Sequence, residues 1–351
     1  YSLKIGGLRI NELFEESLDS PKDYVQVIRE YLTPFFETLS DAIPEKLSQF
    51  IVSGNEIQTI ASMCNATNSL DFSIMERTAF TKMYKKAKEK GTEAISMEYD
   101  IPQEEVEVLL PSLIVLNRLL KYTVNDSILL SNVLLSDAVM FEMLFPKEAS
   151  FVVKAYEEFT LQSATSIAER FGRDTGHISR VSSVALEIYD KMKKLHGYKL
   201  RERTLLQVSA ILQDIGKYVN VRNHALLSYN TITNLDIVGI NDHERLIIAT
   251  VCYYHNGNIP SMDSPIYNQL SQEDRVMVSK LAAILQISNA INTSHSPKFE
   301  QVSVNMKNGK LNIYLTTLKN INLEKWAFIA KTKLFREVYG LNATIIKRGV
   351  L

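Results

Sequence analysis

Residues 205–224 read LLQVSAILQDIGKYVNVRNH, and the segment ILQDIGK at their centre decides how the chain is to be read. Asp214 stands among Ile211, Leu212 and Ile215. An unaccompanied carboxylate is costly in so apolar a setting, so the stretch predicts a buried partner for it. A common helical metal site places a His directly before such an Asp. Here that position holds Gln213. Either the pair is an incidental feature of a buried helix, or it is the remnant of a metal site that has lost a ligand.

The surroundings bear on the choice. From about Glu148 to Ser294 the pattern is helix after helix, with no convincing strand, and this region holds five of the six histidines: His177, His196, His224, His243 and His255. His177 follows Asp174, an expected N-cap, by three residues, which places its ring in a first helical turn where the macrodipole disfavours protonation. A neutral imidazole is the form a metal needs. His224 opens HALLSYNTITN, and His255 closes HERLIIATVCYYH ahead of Asn256-Gly257. Taken singly, each reads as an ordinary cap or surface histidine. Taken together, the order His, Asp, His, His over consecutive helices is the layout of the HD superfamily.

Towards the N-terminus the pattern is that of an α/β layer. YSLKIGGLRI alternates as a strand, with Gly6-Gly7 as a bulge or close approach. PKDYVQVIREYLTPFFETL predicts an amphipathic helix with Pro21 in its first turn. SQFIVSG predicts a short buried strand that enters a turn at Ser53-Gly54, and NEIQTIASMC a helix. SIMERTAFTKMYKKAKEKG predicts a helix stopped by Gly91. Its lysines read as a solvated face. IPQEEVEVLLPSLIVLNRLLKYT predicts a helix with Pro111 as a kink, SILLSN a strand and LLSDAVMFEML a helix. After Pro297, QVSVNM–KNG–KLNIYLTT predicts a hairpin on an Asn-Gly turn, LEKWAFIAKTKLFREVYG a helix ending at Gly340, and NATIIK a closing strand.

The block from Leu205 to Gly257 resembles the HD-like domain of the exopolyphosphatase / guanosine pentaphosphate phosphohydrolase family. SLKIGGLRINELF, IVSGNEIQTIA, IPQEEVEVLLPSLIVLNRLL and ILLSNVLLSDAVMFEML resemble successive parts of that family's actin-like catalytic module. LNIYLTTLKNINLEKWAFIAKTKLFREVYGLNATIIK resembles its C-terminal piece. The resemblance implies an α/β plus all-α chain. Residues 1–146 would be the second half of an actin-like (ribonuclease H-like) α/β module, 147–295 an HD-like all-helical domain, and 296–351 a small C-terminal α/β domain. A homodimer is the assembly it suggests.

Where the family's pattern meets this sequence, the differences matter. In metal-holding HD proteins the residue before Asp214 would be His, and the later metal Asp sits in a segment like ILRIADALD. Here that segment is ILQISNAIN, with Asn289 at the first Asp position and Asn292 at the second. Gln lacks an imidazole lone pair, and Asn lacks the charge that holds a divalent cation. The expectation is a degenerate cluster of His177, Gln213, Asp214, His224 and Asn289 that holds no metal and performs no HD phosphohydrolysis.

The resemblance further implies hydrolysis of terminal phosphoanhydride bonds in polyphosphate or guanosine pentaphosphate, with Mg2+ serving the complete enzyme. Ser53, Gly54, Asn55 and Glu56 stand where the family has a later phosphate loop, and a strand–turn–helix junction presents backbone N–H groups to an anion. Arg173, Arg180, Lys217 and Arg222 are candidates for a polyanion groove, Arg offering forked contacts. The sequence contains no Asp-x-Gly-Ser-Asn or Asp-x-Gly-Gly-Gly-Ser stretch. The family's catalytic Glu and first phosphate loops are therefore expected before Tyr1, in a longer protein, and no catalytic residue is assigned here. The alternative is a non-catalytic protein that binds polyphosphate or a guanosine alarmone.

Bulk properties narrow the classes. A formal net charge of -1 over 351 residues supplies no general field for nucleic acid or an anionic membrane. Two distant cysteines, Cys64 and Cys252, give no disulfide or zinc framework, which fits a reducing cytoplasm. The longest apolar segment, LLPSLIVLNRLL, is too short to span a bilayer.

Overall fold

The computed structural model describes residues 3, 5–14, 21–43, 46–69, 72–307 and 309–349. Tyr1, Ser2 and Lys4 of the expected first strand, and Asn308 of the expected hairpin turn, lie outside them. The chain divides into two compact units, Tyr1–Ser150 and Phe151–Leu351.

The first unit runs α1 (Gly7–Phe14), α2 (Pro21–Ala42), β1 (Ile51–Val52), α3 (Asn55–Met63), β2 (Thr67–Asn68), β3 (Phe72–Glu76), α4 (Arg77–Tyr99), α5 (Gln103–Leu119), β4 (Ser127–Ser131) and α6 (Leu135–Leu144). Its sheet has the order β1-β4-β3-β2, with β1 parallel to β4 and the other pairs antiparallel. Alternate residues Ile128 and Leu130 of β4, and Ser73 and Met75 of β3, point inward, as the period of two requires. They meet Ile28, Leu32 and Phe36 of α2, Phe80 of α4 and Leu113 of α5. Cys64, just after α3, is buried in this core, and burial pushes its thiol up to about 11.

Three local expectations change. The opening segment is helical from Gly7, because Ile10 and Phe14 fall four apart and share the face that packs on the core. Gly7 lies against α5, where an added Cβ would stand 2.8 Å from the Val108 carbonyl oxygen. SIME is strand β3 rather than helix, since its residues pair with Ser127–Leu130 of β4. The helix that follows breaks at Gly91 (φ 78°, ψ 179°) as expected, but resumes and continues to Tyr99. Strand β1 is not buried: Ile51 is 65% exposed at the sheet edge.

The second unit opens with α7 (Ser150–Arg170), α8 (Thr175–Lys191), α9 (Lys193–His196) and α10 (Leu200–Leu212). A 3₁₀ turn (Ile215–Tyr218) leads to α11 (His224–Ile232), α12 (Asp242–Tyr254), α13 (Pro265–Asn268) and α14 (Gln272–Ile291). It closes with β5 (Gln301–Lys307), β6 (Lys310–Thr316), α15 (Asn322–Tyr339) and β7 (Asn342–Arg348). Strands β5 and β6 form the antiparallel hairpin, and α15 carries the chain back to lay β7 parallel to β6. Residues 296–351 do not stand apart: Leu311, Ile313, Phe328 and Phe335 share one core with Val181, Ile188, Leu281 and Ile284 of the helices. Cys252 of α12 is fully buried in that core, and burial raises its thiol well above the usual range. Among the described residues no helix is long and apolar enough to cross a membrane.

Candidate functional site: a buried histidine–aspartate cluster

Helix caps place the site. The Asp174 carboxylate accepts the Gly176 N–H at 2.9 Å and starts α8, as the sequence predicts. His177 therefore lies in the first turn of α8, 4% exposed. Asp214 follows the end of α10 and leads into the 3₁₀ turn. Ser228 of α11 clamps this corner, accepting the Gly216 N–H at 2.9 Å and donating to the Gln213 carbonyl at 2.8 Å. That clamp sets His224, the first residue of α11, beside Asp214.

The cluster centres on the Asp214 carboxylate. Lys217 Nζ donates to Oδ2 at 2.7 Å, and His177 Nε2 is 3.7 Å from the same oxygen. His255 Nε2 lies 3.3 Å, and His224 Nε2 3.7 Å, from Oδ1. The two Nε2 atoms are 3.3 Å from each other. Among the described residues, Asp214, His224 and His255 form the group that brings three possible metal-ligating atoms within 4.8 Å of one another.

His177 is tied on its other side. Its Nδ1 accepts from Asn292 Nδ2 at 2.7 Å, and Arg180 Nε donates to Asn292 Oδ1 at 3.3 Å. The Arg180 contact orients the Asn292 amide, and the amide in turn leaves the His177 proton on Nε2. The ring stacks on His295 with centroids 4.0 Å apart. A cavity of about 150 Å³ adjoins these groups, lined among others by Arg173, His177, Gln213, Asp214 and His295. Gln213 is 1% exposed, and neither its amide oxygen nor its nitrogen has a hydrogen-bond partner.

The electrostatics follow from burial. Burial disfavours the ionised Asp214, but His255 and Lys217 override it and hold the carboxyl well below its usual range. Burial, reinforced by His295, pushes His177 down from 6.5 to about 4. His224 is lowered by burial and then by His255. A buried histidine with a depressed pKa takes up its proton more readily in the unfolded chain, so stability rises with pH between the folded and unfolded values. Stability is therefore expected to fall as pH drops from 6.5 to about 4, the His177 share being of order 2–3 kcal/mol. Urea unfolding across that range checks it: His177→Gln is expected to flatten the slope, and an unchanged slope would refute the assignment.

The structure thus brings together His177, Gln213, Asp214 and His224. Asn289 is not part of the cluster. It is half-buried one turn earlier on α14, and Asn292 supplies the amide that meets His177. His255 and His295 enter without having been assigned to the cluster. His255 had a signal, a histidine ending an apolar helix, but only the packing of α12 against α10 and α11 turns it inward. Of the polyanion candidates, Arg173 lines the cavity, while Lys217 and Arg180 are tied to Asp214 and Asn292. Arg222 is exposed outside the lining.

In the first unit, Ser53 Oγ donates to the Val133 carbonyl at 3.1 Å, and Gly54 (φ 146°) caps α3 in a conformation suited to glycine. Asn55 and Glu56 line a groove of about 390 Å³ together with Glu104 and Glu105.

Residues 161–334 match the family described as Ppx/GppA phosphatase, domain III. Among solved structures, an exopolyphosphatase from Cytophaga hutchinsonii is similar to this chain at 18% identity and a TM-score of 0.36. The match covers 41% of this chain and 49% of that one, so the chain spans about half the length of that relative.

Proposed function

The chain belongs to the Ppx/GppA phosphatase family, and from that premise we propose that it is part of an enzyme that hydrolyses terminal phosphoanhydride bonds of polyphosphate or guanosine pentaphosphate. The match over residues 161–334 carries this reading. In it, the second unit handles the polyanion. Arg173 at the cavity mouth keeps guanidinium N–H groups beyond the Nε bond to the Phe171 carbonyl, and these suit a phosphate oxygen pair. Arg222, exposed on the loop before α11, is the second proposed contact.

The backbone N–H groups at the start of α3 are the proposed later phosphate contact, with Gly54 giving the chain its approach. Glu56, Glu104 and Glu105 beside them give that groove the wrong sign for a bare phosphate. Magnesium would supply charge neutralisation when bound, but no three ligand atoms converge there among the described residues, so no residue is assigned to hold it. No catalytic carboxylate is assigned either. The 351-residue chain alone is proposed to bind polyphosphate without releasing phosphate.

Titration of the full chain with polyphosphate at several salt concentrations tests the reading. Saturable binding is expected, and the double variant Arg173→Gln, Arg222→Gln should weaken it about tenfold while making its salt dependence shallower. Absence of saturable binding would refute the polyanion role. Phosphate release by this chain would refute its proposed inactivity, and competition with guanosine pentaphosphate ranks the two substrates.

A further inference from the structure

The hydrogen bonds around Asp214 leave an electrostatic problem that the packing does not solve. His224 Nδ1 faces the Val221 carbonyl at 2.7 Å, and His255 Nδ1 faces the Cys252 carbonyl at 2.5 Å. A carbonyl only accepts, so each ring carries a proton on Nδ1, and in the neutral imidazole Nε2 turns a lone pair inward. Those two lone pairs converge with Asp214 Oδ1, a buried oxygen without a hydrogen-bond partner. Lys217 does not relieve the convergence, because it is bonded to the other carboxylate oxygen. With both rings neutral, three electron-pair donors point into one buried space.

The distances name what fits. Ligand atoms about 2.0–2.2 Å from a tetrahedral ion stand about 3.3–3.6 Å from one another. The three edges here are 3.3 Å between the imidazole nitrogens, 3.3 Å from His255 to Oδ1 and 3.7 Å from His224 to Oδ1. Carbonyl acceptors behind both rings fix the tautomer that a metal-bound histidine needs.

We propose that Asp214, His224 and His255 bind a divalent transition-metal ion, zinc by ligand type, with one coordination position left open. The site differs from the degenerate set expected from the sequence. It uses neither Gln213 nor Asn289, and it leaves out His177, whose Nε2 carries a proton because Asn292 and Arg180 hold its Nδ1 as an acceptor. Its two histidines come from the start of α11 and the end of α12.

Metal analysis and cobalt substitution of the full chain decide the matter without any activity measurement, so the outcome is independent of the proposed hydrolase reading. Protein purified without chelator is expected to carry close to one zinc per chain. After stripping, it should take up Co2+ with the intense visible bands of a tetrahedral site. His224→Gln and His255→Gln should each lower zinc affinity at least tenfold, while His177→Gln retains it. If the first two variants fail to fold by circular dichroism, the wild-type cobalt spectrum and the His177→Gln variant still decide. Failure of the stripped wild-type chain to bind zinc or cobalt overturns the proposal. So does equal loss of metal in His177→Gln, or imidazole nitrogen resonances showing a proton held between His255 and Asp214 at saturating zinc.

Discussion

Gly216→Ala is expected to destabilise the second unit by about 3 kcal/mol, the upper end of what overpacking costs. A Cβ at Gly216 would stand 2.2 Å from the His224 carbonyl oxygen, 2.5 Å from the Ser228 nitrogen and 2.8 Å from Leu227 Cβ. Two of these are backbone atoms of α11 and its first residue, so no side-chain rotation relieves the clash. The 3₁₀ turn and α11 must separate, which breaks the bond from the Gly216 N–H to Ser228 Oγ and draws His224 away from Asp214. Thermal unfolding should register a fall of about 2–4 °C per kcal/mol for a unit of this size. Gly6→Ala, where an added Cβ meets nothing within 4 Å, is the control. Equal stability of the two variants would show that α11 can shift without cost.

Asp214→Asn has the second large effect, a loss of about 3–5 kcal/mol, the cost of removing one partner from a buried charge pair. The variant is nearly isosteric, so the loss isolates charge from packing. Asp214 is 6% exposed, and its carboxylate faces Lys217, His177, His224 and His255. An amide supplies no negative charge to Lys217, whose ammonium is then left without its counter-charge. Urea denaturation at pH 7 measures the difference. A change below about 1 kcal/mol would mean that the neighbouring groups need no counter-charge there.

How much of this could be read from residues alone depends on the range of the interaction that decides each feature. The helical run from α7 to α14, the Asp174 cap, the break at Gly91 and the stop at Gly340 are decided within a turn or two of chain, and the sequence carries them. SIME reads equally as the start of a helix, because its strand character comes from pairing with residues about fifty positions away in β4. GLRINELF has so few apolar residues that alternation and a four-residue spacing both fit, and the close approach of α5 decides between them. At the site, Gln213, Asp214 and His177 are legible because the HD-like pattern is a spacing. The contacts of His255 with Asp214 and of Asn292 with His177 are not, because they depend on how α12 and α14 are rotated against α8 and α10. The same limit hides the tautomers: nothing in the order of residues says that Arg180 orients Asn292, yet that contact determines which histidines keep a free lone pair.

Each unit also conceals a single thiol, Cys64 in the first and Cys252 in the second. Shielded from solvent and slow to ionise, neither can react with an alkylating reagent while its own unit stays closed. The polypeptide therefore carries two intrinsic clocks, one for the opening of each half, and their labelling rates separate a breathing motion in one from wholesale melting of both.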